Sequence, residues 1–442
     1  MQKLNQVSTK QEGAALIIFA LILALAATTF LVSQLDGSGV KIERDKKTAV
    51  ALAEAKMALV GFAARNGTAV GTARPGDLPC PDTDNDGSAN VCLANAIGRL
   101  PWRTLGIGDL RDGYGERLWY AVSVNFKSNP RIYPLNSDTL GTITLRDTTG
   151  NILNDGSLAN GLVAIVFSPG AVIRRQDAVN QVRDVANQNN PINYLDVAFG
   201  EDNQNFINSG TNGFIKGPIK DANGNVILND QLISVTQEEI ITPVELRVIA
   251  AVSNALLDYY CAPDVADYAT KNCSGVAGNQ FYPRPALFAD TTCFGTSNTG
   301  VCASDALVNH GRLPVTLATG AWSATSILRG TAANNWFQSN GWREQIHYAV
   351  DAQCVDGTVN CGGGVGLTLT LNFAPNPLSR VIVTASGRMQ GAQLRNNNAN
   401  KAMELNYIED ENALPLDDVY TRTVAPPPPV IPFNDRSVNI PQ

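Results

Sequence analysis

The stretch GRLPWRTLG, Gly98 to Gly106, decides how the chain is read, because its opening returns as GRLPV at Gly311 to Val315. Working outward from the two copies, other phrases return in the same order. WYAV from Trp119 recurs as HYAV from His347, preceded by DGYGER and NGWREQ respectively. LVAIVFSPG from Leu162 is echoed by RVIVTASG from Arg380, Asn193-Tyr194-Leu195 by Asn406-Tyr407-Ile408, and NDQLISV from Asn229 by NDRSVNI from Asn434. Order and spacing are kept throughout, so the chain reads as two copies of one unit. Strand-like runs at Thr142–Leu145 and Leu162–Phe167, with hairpin turns at Asp147–Asn151 and Asp221–Asn225, make each unit partly sheet.

A helix precedes each copy. From Val40 to about Asn66, Leu52, Ala55, Leu59 and Phe62 step by three and four and form one apolar stripe; Asn66-Gly67 reads as its cap. The second copy opens with its own amphipathic helix at about Thr242 to Tyr260, carrying Val244, Val248, Ala251, Ala255 and Leu256. The expected fold class is α+β, with each unit packing an amphipathic helix on an antiparallel sheet. Only the first copy has something further upstream. Ala14 to Leu35 holds no charge, proline or glycine, and 22 residues at ~1.5 Å each reach about 33 Å, enough to cross a bilayer core. Asp36-Gly37-Ser38-Gly39 places two glycines in four residues, read as a break in the stem.

A short polar leader, Met1 to Glu12, ends in Gly13 directly before the apolar run. This resembles the class III signal of type IV pilins and type II secretion pseudopilins. The resemblance implies cleavage between Gly13 and Ala14 by a prepilin peptidase. It also implies a membrane stem that docks on other pilins or pseudopilins through the N-terminal helix. RDGYGERLWYAVS from Arg111 is similar to the D-x-W-G-x-P-x-x-Y segment of major pseudopilins, with Tyr114-Gly115 in place of Trp-Gly. The family usually has Glu as the fifth residue after the cut, and here that residue is Ile18. Tip-type minor pilins and the large tip pseudopilin of type II secretion resemble this chain in lacking it. A plain signal anchor is the alternative reading of the apolar run alone.

The organisation expected is a leader at 1–13, a transmembrane helix at 14–35, a first pilin-like head at 36–236 and a second at 237–442. The eight cysteines fall into four sequential couples, Cys80/Cys92, Cys261/Cys273, Cys293/Cys302 and Cys354/Cys361. None has C-x2-C spacing, so they read as local disulfides rather than zinc ligands. Disulfides place the bulk of the chain outside the cytoplasm, and the resemblance implies the periplasm or an extracellular filament, with a single pass through the inner membrane. Basic residues point the other way, since Lys41, Arg44, Lys46 and Lys47 on the far flank outnumber Lys3 and Lys10 in the leader. The cysteines and the leader motif outweigh that bias. A net charge of −7 argues against nucleic acid as a partner.

Asp82-Thr-Asp84-Asn-Asp86-Gly-Ser88 matches the first half of a D-x-D-x-D-G calcium loop, in which alternate side-chain oxygens converge on a hard cation. Asp82, Asp84, Asp86 and Ser88 are the candidate ligands. The twelfth position is Leu93 rather than Glu, leaving Asp109 or Asp112 to complete the set. The other reading is an acidic turn closed by Cys80 and Cys92. The matching stretch of the second copy, read as Ala289–Cys293, lacks the pattern. His310 and His347, the only two histidines, align with Ile97 and Trp119, which are packing positions. No nucleotide-binding, zinc-protease or serine-hydrolase motif is present in the sequence, so no enzymatic role is expected. Trp322 and Trp336 fall in an insertion peculiar to copy two, Leu317 to Phe337, the first suspect for a partner-facing loop. The expected function is a minor, tip or initiating, subunit acting in filament assembly. The alternative is an anchored extracytoplasmic adhesin or binding protein, with an anchored enzyme as a remote third.

Overall fold

A computed structural model of the chain describes residues 12–65, 74–92, 96–205, 213–260, 281–296, 302–318, 321–323, 325–329, 335–355, 361, 367–372, 374, 378–409, 412, 418–421 and 434–440. It is a mixed helix and sheet structure. Helix α1 (Glu12–Arg65) leads into four strands, β1 (Ala96–Arg99), β2 (Trp119–Val122), β3 (Ala164–Ser168) and β4 (Gln231–Val235). Helix α2 (Gln237–Tyr260) leads into four more, β5 (His310–Arg312), β6 (Ile346–Val350), β7 (Val381–Ala385) and β8 (Arg436–Asn439). The sheets have the orders β1-β2-β3-β4 and β5-β6-β7-β8, and every neighbouring pair is antiparallel.

The registers coincide residue for residue. Gly98 faces Tyr120 and Arg99 faces Trp119; Gly311 faces Tyr348 and Arg312 faces His347. Tyr120 faces Val166 while Tyr348 faces Val383. Val166 then faces Ile233, and Val383 faces Val438. The glycine of each GRLP phrase lies against a chain segment that bridges the strand edge, Asp82 to Arg99 and Ala286 to Arg312. A Cβ at Gly98 would sit 2.5 Å from the Asp82 carbonyl oxygen, and one at Gly311 would collide with the Ala286 carbonyl. Only glycine allows that approach. These bridges equate Asp82 with Ala286, four residues before Asp290, which corrects the sequence alignment of this stretch.

The long apolar runs of β3 and β7 follow from burial on both faces. Tyr120, Val122, Ala164 and Val166 face the helix layer, together with Leu52, Ala55 and Leu59 of α1. Trp119, Ala121, Ile165 and Phe167 face a second layer holding Ile143, Leu145 and Phe214. In the second unit Tyr348, Val381 and Val383 face the helices, and Ala349 and Ile382 face Leu369, Leu371 and Tyr420. That outer layer departs from a purely antiparallel expectation. Leu145–Arg146 pairs in parallel with Phe214–Ile215, and Leu369–Asn372 in parallel with Val419–Thr421, each through a long connection of the kind parallel pairing requires. Both predicted hairpin turns form. The Asp147 carboxylate accepts the N–H groups of Thr149 and Asn151, and that of Asp221 accepts those of Asn223 and Asn225.

Two helix boundaries differ from expectation. α1 runs without interruption through Asp36-Gly37-Ser38-Gly39. A glycine weakens a helix by only about 1 kcal/mol, and the turns on both sides carry the segment through. α2 begins at Gln237, ahead of Pro243, because Thr236 and Glu239 form a capping box: Thr236 N–H donates to Glu239 Oε2 at 2.9 Å and Glu239 N–H to Thr236 Oγ1 at 3.3 Å. By length and composition α2 too could cross a membrane. Here Ile240, Val244, Val248, Val252 and Leu256 are buried in the common core, and Glu245 pairs with Arg436 of β8 at 2.6 Å. It is the core helix of the second unit. α1 and α2 lie side by side, bound by Lys56, which contacts Glu239 at 2.5 Å and donates to the Ser234 carbonyl.

Candidate functional site

The acidic turn is built around Asp82. Its Oδ1 accepts the N–H groups of Asp84 (3.1 Å) and Asn85 (2.6 Å), and its Oδ2 that of Gly87 (2.7 Å). Burial raises the Asp82 carboxyl above its ordinary value, against these donors. Asp84 and Asp86 are exposed, and the carboxylates of all three come within 4.8 Å of one another. Asp86 Oδ1 accepts the Ser88 N–H at 2.6 Å. The turn is fastened to the GRLPW phrase: Arg103 N–H donates to the Gly87 carbonyl at 2.8 Å, and the Trp102 ring covers Gly87. Cys80–Cys92 closes it, as expected, and Cys293–Cys302 and Cys354–Cys361 pair sequentially too. Cys261 and Cys273 lie outside the described residues.

The carboxylates expected to complete a cation site are committed elsewhere. Asp109 pairs with Arg111 at 2.7 Å and Arg117 at 2.9 Å. Asp112 accepts from Tyr114 N–H, Glu116 N–H, Ser168 Oγ and Gly170 N–H, and so organises the turn before β2. Arg117 Nη1 also donates to both the carbonyl and the side-chain oxygen of Asn85, bringing a fixed cation into the loop. Asp82, Asp84 and Asp86 thus come together as the sequence expects, while Asp109 and Asp112 are held by other partners.

Beside the turn opens a cleft of about 410 Å³, lined by Arg99, Arg111, Arg117, Arg183, Glu116 and Tyr194 among others. Arg99 is stacked between Trp119 (4.4 Å) and Tyr194 (4.1 Å) and donates to the carbonyls of Arg117 and Gln188. Arg312 repeats this, lying 4.2 Å from the Phe288 ring and 4.7 Å from that of Tyr407, and donating to the carbonyls of Glu344 and Lys401. Each unit also holds a pair of neighbouring acids, near Arg183 in the first and Arg395 in the second. Asp230 Oδ2 accepts from Asp196 N–H and Asn203 Nδ2, and Asp196 Oδ2 accepts from Asn229 N–H. In the second unit Asp435 Oδ2 accepts from Glu409 N–H and Asn412 Nδ2, and Glu409 Oε2 accepts from Asn434 N–H. Burial pushes Asp196 up to about 6; it raises Asp230 and Asp435 well above the carboxylate range, with the neighbouring acid adding to each.

The repeat phrases NYL/NYI and ND had marked part of this cluster in sequence. Its arginines were missed, although Gln181-Val-Arg183 and Gln393-Leu-Arg395 carry the signal. His347 is buried at the Trp119 position, stacked on Phe288 at 4.8 Å, and His310 is half-buried beside Glu404 at 3.4 Å; their places match packing positions. The insertion tryptophans are not presented outward. Trp322 and Trp336 are buried, and Trp322 Nε1 donates to the Pro314 carbonyl at 3.0 Å, because their area is better spent in the common core. Gly13 and Ala14 lie in the first turn of α1, and Met1 to Gln11 of the leader lie outside the described residues. Comparison with known proteins finds no matching family, no matching curated protein and no matching solved structure.

Proposed function

We propose that the chain is a minor subunit of a type IV pilus or type II secretion pseudopilus, sited at the tip or initiating assembly, and that it works by assembly rather than catalysis. The observation that carries this reading is the continuous 54-residue helix α1. It joins the uncharged Ala14–Leu35 run to an amphipathic segment whose Leu52, Ala55 and Leu59 are buried against a four-stranded antiparallel sheet. A helix of that length spans about 80 Å, far more than the short strands it covers need. The remainder is available as a membrane stem that packs against other stems. Three local disulfides support a location outside the cytoplasm, on an inner-membrane anchor. Ile18 in place of Glu leaves the stem without an intramembrane carboxylate to offer a neighbour, which suits an end position. The acidic turn enters this proposal as a structural clasp.

The test is the distribution of the protein along filaments sheared from cells that make it at native level. Labelling confined to filament ends, with filaments lost when residues 1–35 are deleted, is the expected result. Stoichiometric labelling along the shaft would contradict the end position, and normal filaments without the stem would contradict assembly.

A further inference from the structure

Arg183 and Arg395 occupy the same place in the two units. Each donates from Nε to the carbonyl of an asparagine (Asn193, 3.0 Å; Asn406, 2.6 Å) and from Nη1 to that of a glycine (Gly170, 2.6 Å; Gly387, 3.1 Å). Each also donates from Nη2 to the side chain of the glutamine two residues earlier, and lies over the equivalent tyrosine ring, 5.0 Å from Tyr194 and 4.4 Å from Tyr407. Their remaining partners differ. Arg395 Nη1 holds Asp138, which comes from the first unit, at 2.9 and 3.0 Å. Gln345 Nε2 and Met389 N–H donate to the same carboxylate, each at 2.8 Å. The rest of that loop follows it in: Asn340 Oδ1 accepts from Leu135 N–H, and Gln237 donates to the Ser137 carbonyl. The second unit therefore displays an acidic loop of the unit before it seated on its arginine.

The first unit has the arginine and, among the described residues, no such loop. Among the described residues Arg183 makes its ion pair with Glu116 of its own unit, at 3.4 Å, and it faces the cleft together with Arg99, Arg111 and Arg117. Glu116 and Asp184 line the cleft with these four arginines and Asp109 pairs with Arg111 and Arg117, which leaves one cation in excess of the three carboxylates. We infer that this cleft receives the side-chain carboxylate of an acidic loop on a neighbouring protein subunit, in the manner in which Arg395 receives Asp138. The contact inside the chain is then the template for the contact the chain makes with its neighbour. The inference rests on the assembly reading for the source of that neighbour. Guanidinium groups suit the task, because they stay charged and bind carboxylates through directed N–H pairs.

Val185 lines the cleft and is 83% exposed, so a photocrosslinking residue placed there in the full-length chain reports what enters. A second probe at Met57, exposed on α1, reports on stem packing independently. Both are irradiated in native membranes. The expected result is an adduct from position 185 to a second pilin-type subunit, mapped by mass spectrometry to a segment containing Asp or Glu. Its yield should fall about tenfold in Arg183→Glu, the scale of losing one interfacial charge pair. Arg183 is buried and its reversal endangers folding, so Arg111→Glu, whose side chain is 45% exposed, is made in parallel and should lower the yield as well, with the small cost of losing its surface pair with Asp109 read from thermal unfolding. No adduct from position 185 while position 57 still crosslinks overturns the inference and leaves the assembly reading standing. An adduct to a segment without acidic residues, or one indifferent to both reversals, overturns carboxylate recognition. No adduct from either position removes the assembly reading and the inference with it.

Discussion

The two units share strand order, register, a stacked arginine and a pair of neighbouring acids, yet they finish the same frame differently. In the first, the guanidinium cleft is open and Trp119 fills the sheet face behind it. In the second, the cleft is closed by Asp138 from outside the unit, and a buried histidine stands where the tryptophan was. The shared features all lie where backbone geometry leaves one solution, such as the glycine under the bridging segment or the acid that collects N–H groups. The differences lie where a side chain meets another element. The duplication thus keeps the frame and changes what each unit meets.

Three pairs of substitutions test that division, and the largest effect belongs to the sheet face. Trp119→Ala should cost about 3–5 kcal/mol, the range for emptying a buried indole site. His347→Ala should cost clearly less, because imidazole is smaller than indole and two ring nitrogens of His347, against one of Trp119, are buried without a hydrogen-bond partner among the described residues. Equal losses in denaturant titrations would mean that the positions are not equivalent in role.

The next effect concerns the docked loop. Asp138→Ala leaves Arg395 buried without its carboxylate and should cost about 2 kcal/mol, below the full buried-pair range because Asp138 is 27% exposed. Glu116→Ala, which removes the longer contact to Arg183, should cost about 0.5 kcal/mol or less. A reversed order would show that the first unit's cleft is already satisfied from within.

The smallest effect is in pH dependence, where one buried position from each unit should respond with opposite sign. Burial, and then the charges of Arg312 and Arg395, hold His347 neutral well below its ordinary 6.5. Its contribution to stability is present above that value and lost as pH falls below it. Asp196 is raised from 3.8 to about 6 by burial, so its contribution is present below the lower value and lost as pH rises through the upper one. His347→Phe should therefore flatten stability on the acid side, and Asp196→Asn between pH 4 and about 6. Denaturant midpoints measured across that range check both slopes.

Much of the frame was legible in the sequence. GRLPW and GRLPV, WYAV and HYAV, and the ND pairs located β1, β2, β4 and their counterparts, and close couples of cysteines located three disulfides. The helix boundaries were less so. Two glycines looked like a break, but helix cooperativity outweighs about 1 kcal/mol each, and Pro243 drew attention from the Thr236–Glu239 box that starts α2. The site was least legible. Asp82, Asp84 and Asp86 advertised a cation, whereas the arginines that hold the neighbouring cleft are scattered from Arg99 to Arg183 and converge only through the fold. Asp138 and Arg395 meet across 257 positions, and no local pattern announces such a pair.

The central claim is that two equivalent units ride on one stem built for a filament. The most direct measurement is the mature N-terminus, read by mass spectrometry of the protein from its native membrane. The account predicts a start at Ala14, which removes Glu12 and Gly13 from the head of α1. An intact Met1, or a start beyond Ser33, would contradict it and leave a two-unit protein that is merely anchored or secreted.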